Sequence, residues 1–193
     1  MLVLAHLGNS SGISPFVFYL VNSLLKQRNK AYTTTLYAIT LKPKMKEEQK
    51  EKYFKKVYEN IEKYDFHKTY VMEEIGFTPF GYSTGIYENL KIPELFISGL
   101  PNGLTSELTE KYAEKYKFGT VPLNEKIEDL FEKFPVYFIK VENGNLSEYV
   151  LSSIKYYENK NYEYLQLIFP DLNGNFPNEP NYDYDQKIVG NIK

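Results

Sequence analysis

The chain has 193 residues, of which 42% are hydrophobic and 25% are charged, and it contains no cysteine. This length suits one well-buried core and is too short for two ordinary domains. The absence of cysteine excludes a disulfide framework, a thiolate zinc site and a cysteine nucleophile, and it is compatible with a reducing cytoplasm. We therefore expect a soluble, cytoplasmic protein.

Charge is distributed unevenly along the chain. Residues 1–44 hold five of the 23 basic residues and none of the 25 acidic ones, which leaves 18 basic against 25 acidic residues in 45–193, a balance of −7. Proteins that bind nucleic acids or anionic membranes carry a basic surface, and this part of the chain is acidic. We predict no nucleic-acid partner and no membrane partner.

Residues 1–44 also match no targeting signal. The apolar run from Phe16 to Leu25 is too short for a transmembrane helix, and the basic residues follow it, which reverses the order in a signal peptide. We expect an atypical extension produced by a mis-assigned start, with translation beginning at Met45. A genuine N-terminal hairpin or helix is the alternative. Residues 45–193 then form the domain.

Periodicity is clear from Met45 onward. Apolar residues at helical spacing predict a helix over 46–64, and alternating patterns predict strands over 67–74 and 80–86. One face of the second strand carries only small residues: Gly81, Ser83 and Gly85. Such a face predicts that a packed helix or a ligand approaches the backbone closely.

The same criteria predict the remaining elements. In chain order they are a strand over 95–98, a helix over 104–116, a short helix capped by Asn124, a strand over 136–141, a helix over 146–157 capped by Asn145, and a strand over 162–169. Strands and helices do not alternate strictly. We therefore predict an α+β fold, a single domain with a central mixed, mainly antiparallel sheet flanked by helices.

Several sequence blocks occur together in a distinctive order. They are Tyr82-Ser83-Thr84-Gly85-Ile86, Ile92-Pro93-Glu94-Leu95, Ser98-Gly99-Leu100-Pro101 and, near the C-terminus, Leu165-Gln166 with Pro170-Asp171. In this order the chain resembles the bacterial family catalogued as domain of unknown function 4262, over about residues 46–185. The resemblance implies a fold and a bacterial source, but no activity.

The chain departs from the family pattern at two positions. Ile92 stands where the family has a histidine, and Asn178 stands where a tryptophan is common. If that histidine is catalytic in relatives, this chain lacks it.

Few side chains could carry chemistry. His67 is the sole histidine of residues 45–193 and therefore the best candidate for a general base or metal ligand. The candidate pocket comprises His67, Tyr82, Ser83, Gly85, Glu94 and Gln166. For each polar member of this pocket, the alternative to a functional role is a structural one. The residue is then exposed, caps a turn, or lies in the core with one hydrogen bond. No catalytic residue can be assigned from the sequence.

A short segment near the C-terminus resembles the start of a calcium loop. Asp171, Asn173 and Asn175 have the spacing, but Gly174 comes too early and Tyr182 occupies the place of the bidentate glutamate. A hairpin turn at Asn173-Gly174 fits better. We predict no metal and no cofactor.

Two functions remain open. A non-enzymatic binding, regulatory or immunity-like module, with an unknown protein or small-molecule partner, is favoured because no complete catalytic set is visible and tyrosine-rich surfaces suit interfaces. The alternative is a small-molecule or nucleotide-handling enzyme with a pocket beside the Phe80–Ile86 strand. If the polar side chains of the candidate pocket converge on one cavity, the enzyme is favoured. If they lie in separate places, the binding module is favoured.

Overall fold

A computed structural model of the protein describes residues 47–192. The expected extension, residues 1–44, lies outside the described residues. In the described part of the chain, none of the helices combines the length and apolar character that crossing a membrane requires.

Four helices and five strands make up this part of the protein. In chain order they are α1 (Glu47–Tyr64), β1 (His67–Val71), β2 (Phe80–Thr84), α2 (Ile86–Leu90), β3 (Glu94–Ser98), α3 (Asn102–Tyr116), β4 (Tyr137–Val141), α4 (Leu151–Tyr157) and β5 (Tyr164–Ile168), with a 3₁₀ turn at Asn143–Leu146.

The five strands form one sheet in the order β1-β2-β3-β5-β4. The β3–β5 pair is parallel and the other three pairs are antiparallel. Tyr82 at the centre of β2 pairs with Thr69 of β1 and Phe96 of β3. The sheet is mixed and mainly antiparallel, which confirms the predicted α+β architecture.

Helices cover both faces of the sheet. Successive side chains of each strand point to opposite sides, so each strand contributes apolar side chains to both faces. On one face Leu95 and Ile97 of β3 belong to a core cluster that includes Leu108 and Tyr112 of α3. On the other face Tyr82, Phe96 and Tyr164 cluster with Val150, which precedes α4. The core is therefore divided by the sheet into two layers.

Helices account for the close approach that the small residues of β2 predict. The Thr105 side chain of α3 occupies the space over Gly81. At Gly85 a Cβ atom would lie 2.9 Å from the Asp65 carbonyl oxygen and 3.1 Å from an Ile61 methyl of α1. The prediction that both glycines share one face is wrong, because β2 ends at Thr84 and Gly85 has a left-handed φ of 107°.

Four predicted elements differ in the structure. The strand predicted over 67–74 ends at Val71. Ile86 begins α2 instead of ending β2. No helix follows Asn124, whose φ of 58° is unlike that of a helix N-cap. This segment instead bonds to β4 through the Asn124 N–H and the Phe138 carbonyl, and it forms an Ile127–Val136 bridge just before β4. The predicted helix over 146–157 is interrupted because Val150, with φ −100° and ψ 51°, is not helical, so α4 begins at Leu151.

Candidate functional site

Glu94 is a fully buried carboxylate at the start of β3, with 0% of its surface exposed. Its Oε1 accepts the N–H groups of Gly85 at 2.7 Å and Tyr87 at 3.1 Å, and also the Tyr157 hydroxyl. Its Oε2 accepts the Ser83 hydroxyl. Charge-assisted bonds of this kind offset the cost of burying a carboxylate. Glu94 therefore joins the end of β2, the beginning of α2 and α4.

The Glu94 carboxylate lies where the backbone pairing between β2 and β3 ends. The last paired residues are Tyr82 and Phe96, and beyond them the Leu95 N–H donates to Ser83 Oγ at 2.9 Å. The Ser83 hydroxyl thus accepts one hydrogen bond from β3 and donates another to Glu94. The side chain of Ser83 on β2 therefore provides hydrogen-bond partners for two groups of β3 at the point where the backbone pairing ends.

The pKa values in this cluster are displaced. Burial raises the pKa of Glu94, and the hydrogen bonds from Ser83, Tyr157 and the backbone lower it without cancelling the effect of burial. Burial and the neighbouring Glu94 raise the pKa of Tyr157. At neutral pH Tyr157 therefore keeps its proton, and its hydroxyl donates a hydrogen bond to Glu94. The four groups that donate hydrogen bonds to the Glu94 carboxylate are protein groups. Glu94 can therefore accept a proton from a ligand only if one of these four donors moves.

Tyr82 belongs to an adjoining hydroxyl cluster. Its hydroxyl donates to Ser152 Oγ at 3.0 Å and accepts the Ser152 N–H at 3.2 Å. Ser152 Oγ also lies 2.7 Å from the Tyr53 hydroxyl of α1. The next residue, Ser153, lies 2.7 Å from the Tyr164 hydroxyl, which donates to the Ser83 carbonyl at 2.7 Å. Two consecutive serines of α4 thus attach this helix to β2, Ser152 through the Tyr82 hydroxyl and Ser153 through the Ser83 carbonyl.

His67 lies apart from these clusters. Its Nδ1 is 2.9 Å from the Asn60 amide nitrogen, and its ring meets the edge of Tyr53 at 6.2 Å between centroids. It lines an open cavity of about 350 Å³ together with residues that include Lys68 and Glu110. Burial lowers the pKa of His67, and the positive charges of Lys56 and Lys68 lower it further.

The Gln166 side chain forms hydrogen bonds with the C-terminal segment of the chain. Its amide nitrogen donates to the Lys187 carbonyl at 2.7 Å, and its oxygen accepts the N–H groups of Val189 at 2.9 Å and Gly190 at 3.3 Å. This residue therefore holds a segment against the sheet.

Of the six candidate residues, the structure brings Ser83, Gly85 and Glu94 together, places Tyr82 next to them, and puts His67 and Gln166 in other surroundings. A ligand pocket built from all six remains a prediction. Sequence reasoning missed Tyr157 and the paired serines Ser152 and Ser153. The signal for the serines was two small polar residues within an apolar helical pattern, both of which are buried.

A second open cavity of about 350 Å³ lies outside the Glu94 cluster. It is lined by Tyr87, Glu88, Lys91, Tyr157, Lys160 and Asn161. Tyr157 is among the lining residues although it is almost fully buried, and its hydroxyl bonds to Glu94.

The Asp171 segment forms a turn. The Asp171 carboxylate accepts the N–H groups of Asn173 at 2.8 Å, Asn175 at 2.9 Å and Asp183 at 3.0 Å. Gly174 has a φ of 87°, but no strand follows among the described residues, so the predicted hairpin is wrong. Across residues 47–192 no group of three His, Cys, Asp or Glu side chains is placed to hold a metal ion.

Comparison with known families confirms the resemblance seen in the sequence. The family model described as Domain of unknown function (DUF4262) matches residues 60–183, which is more than half of the chain and includes every strand and the Glu94 cluster. No curated protein and no solved structure matches the chain. The chain belongs to the family described as Domain of unknown function (DUF4262).

Proposed function

We propose that this domain is a non-enzymatic module that binds a protein partner through the loop joining β1 to β2 and the edge of β1 that pairs with no other strand of residues 47–192. The observation that carries the proposal is the exposure of two large apolar side chains on this loop. Met72 is 75% exposed and Ile75 is 95% exposed. The same surface would serve a regulatory or an immunity-like protein.

The geometry of the loop does not explain why an exposed isoleucine stands at position 75. Glu74 and Phe77 exchange backbone hydrogen bonds of 3.3 and 2.9 Å, and Gly76 between them has a φ of 76°. A tight turn of this kind requires a positive φ at its third position, and glycine meets that need. The second position tolerates most residues, so the turn gives no reason for an isoleucine at its tip. Contact with a partner supplies one.

The strand that leads into this loop can accept another strand. Within residues 47–192, β1 pairs with β2 alone. At the opposite edge, the Asn124 N–H donates to the Phe138 carbonyl of β4 at 2.9 Å, and an Ile127–Val136 bridge covers the residue before β4. An uncovered edge offers backbone groups to an extended segment of another protein, which is a common mode of peptide recognition.

The charge around the loop indicates the chemistry of the partner. Glu73 and Glu74 separate Met72 from Ile75, and residues 45–193 have a balance of −7. Complementary charge favours association and selects among partners. The proposed partner therefore presents an extended segment that carries both basic and apolar residues.

The arrangement of the titratable groups supports binding over catalysis. Glu94 accepts hydrogen bonds from protein donors at both oxygens, whereas His67 contacts an amide in a different cavity. A general acid–base pair requires its groups to reach the same reacting atom.

Selection from a display library of random peptides of about 12 residues tests the proposal, because the full chain should enrich basic–apolar sequences that bind as strands. The double variant Met72→Ser/Ile75→Ser should weaken binding of these peptides at least about tenfold. Leu172→Ser is the matched control, since Leu172 is 96% exposed on a different loop. Failure to enrich any such sequence, or equal binding by the double variant, would contradict the proposal.

A small-molecule or nucleotide-handling enzyme is the second candidate. The cavity that shares Tyr157 with the Glu94 cluster favours it, because that cluster lies at the end of the Phe80–Ile86 segment. An enzyme should convert a member of a nucleotide panel into a product that chromatography detects. Loss of that product in Glu94→Gln supports this candidate, and an unchanged panel supports the binding module.

A further inference from the structure

We infer that a cavity beside Tyr137 binds a small zwitterionic amino acid whose side chain carries a hydroxyl or an amide. The cavity is lined by Asn124, Lys126, Tyr137, Phe176, Asn178 and Glu179. Its volume of about 190 Å³ is below the range of about 300–1,000 Å³ for drug-sized ligands, which suits a molecule as small as an amino acid. The inference does not depend on the β1–β2 loop and holds for either proposed function.

A buried hydroxyl without a partner indicates that the cavity receives a polar ligand. Tyr137 Oη is shielded from solvent and makes no hydrogen bond within residues 47–192. Burial raises the pKa of Tyr137 and the neighbouring Glu179 carboxylate raises it further, so the hydroxyl keeps its proton at neutral pH and can both donate and accept. The large majority of buried hydroxyl groups in proteins have a partner. A polar group of a ligand in the cavity supplies one for Tyr137.

The cavity contains one cation and one carboxylate that do not pair with each other. Lys126 Nζ lies 5.1 Å from the centre of the Phe176 ring and forms no ion pair within residues 47–192. Glu179 Oε2 accepts the Phe176 N–H at 2.7 Å, and the Glu179 N–H donates to the Phe176 carbonyl at 2.8 Å, so a closed turn fixes this carboxylate. An anion would leave Glu179 without a partner, and a cation would leave Lys126 without one. A zwitterion can pair with both.

The remaining lining residues favour a ligand without a ring. The amides of Asn124 and Asn178 form no hydrogen bond in the described part of the chain, so each offers a donor and an acceptor. Phe176 is only 3% exposed, and its ring is covered by Lys126 and by Tyr137, whose centroid lies 5.1 Å away. A planar ligand ring gains from packing on an open aromatic face, and Phe176 does not offer one. The polar groups suit an amino acid whose side chain can hydrogen-bond to the Tyr137 hydroxyl.

NMR titration of the full chain with matched probes tests the inference. L-serine and L-asparagine are the zwitterions. Ethanolamine and β-alaninamide lack their respective carboxylates, and glycerate and succinamate lack their respective ammonium groups. We expect at least one zwitterion to bind about tenfold more tightly than either of its counterparts. Binding of serine alone would identify a hydroxyl side chain in the ligand, and binding of asparagine alone would identify an amide.

Lys126→Met should weaken binding of that amino acid about tenfold. Lys133→Met is the matched control, because Lys133 Nζ also lies over a phenylalanine ring, 5.7 Å from the centre of Phe131. Met72→Ser/Ile75→Ser should leave amino-acid binding unchanged, which separates this site from the loop.

Tyr137→Phe separates a ligand-binding role from a structural one. The Tyr137 hydroxyl has no partner within residues 47–192, so its removal should not lower the melting temperature, whereas binding of the amino acid should weaken about fivefold. The inference is overturned if neither zwitterion binds at about 10 mM, or if the singly charged counterparts bind equally well. It is also overturned if Lys126→Met binds as the unmodified chain does, or if Tyr137→Phe lowers the melting temperature and leaves binding unchanged.

Discussion

Gly85 stands where two constraints coincide. Its φ of 107° and ψ of −18° lie in a region that side chains disfavour, and α1 leaves no room for a Cβ atom because Ile61 and the Asp65 carbonyl lie against it. Its N–H is also one of the donors to Glu94. A single residue thus fixes the turn from β2 into α2, the packing of α1 and part of the carboxylate site.

Gly85→Ala should lower the free energy of unfolding by about 2–5 kcal/mol, because a left-handed side chain costs about 1–2 kcal/mol and overpacking adds about 1–3 kcal/mol. Urea denaturation measures the difference. Gly103→Ala is the control, since Gly103 lies in α3 with no atom within 4 Å of the added Cβ. That substitution should stabilise the protein by about 0.5–1 kcal/mol. An unchanged midpoint for Gly85→Ala would show that α1 does not close over this turn.

His67 should make the fold less stable in mild acid. Burial, Lys56 and Lys68 lower its pKa below the ordinary value of 6.5. As the pH falls below 6.5, the unfolded chain binds a proton before the folded chain does, so the free energy of unfolding decreases until the pH passes the folded-state pKa. The contribution of His67 is therefore present above pH 6.5 and lost below it.

Thermal melts between about pH 7.5 and pH 5 should show this loss. His67→Gln should reduce the loss, whereas His6→Gln, which removes the other of the two histidines, should retain it. An NMR titration that places the His67 pKa at or above 6.5 would refute the assignment.

At the scale of elements, one side chain secures the end of the chain. Gln166 of β5 makes three hydrogen bonds to the backbone of residues 187–190. This segment also packs on β4, where Gly190 approaches Ile139 and the Lys140 carbonyl closely. Residues 187–190 therefore behave as part of the folded domain although they lie beyond the family match.

Gln166→Leu should lower the free energy of unfolding by about 1–3 kcal/mol, because it leaves three partly buried backbone groups without their Gln166 partner. Limited proteolysis should then cut the C-terminal segment faster. Asn145→Leu is the graded control, since Asn145 makes one exposed hydrogen bond to the same segment, at 3.0 Å to the Val189 carbonyl. Equal effects from the two variants would contradict the role given to Gln166.

The sequence predicted the strands and the sheet type because their patterns are local. It missed α2, which has five residues and begins where the alternation of β2 appears to continue. It also could not assemble the Glu94 cluster, because Tyr157 is 63 positions from Glu94 along the chain. Their contact depends on the parallel pairing of β3 with β5, which local periodicity does not encode.

At the scale of the whole molecule, charge and topology act together. In the proposed complex, the acidic balance of residues 45–193 attracts a basic segment of the partner, and the order β1-β2-β3-β5-β4 places β1 at an edge next to Met72 and Ile75. Binding of a selected basic peptide should weaken as salt is raised from about 50 to about 500 mM, because screening shortens the reach of surface charge. Binding that is insensitive to salt would show that charge does not select the partner.

Amide hydrogen exchange of the full chain, with and without a selected peptide, tests the central claim most directly. Outward-facing amides of an uncovered edge strand exchange readily, and pairing with an added strand protects them. We predict slower exchange over residues 67–71 of β1 when the peptide is bound and unchanged exchange in the loop around Leu172. Unchanged exchange in β1, with protection confined to another surface, would contradict docking at this edge.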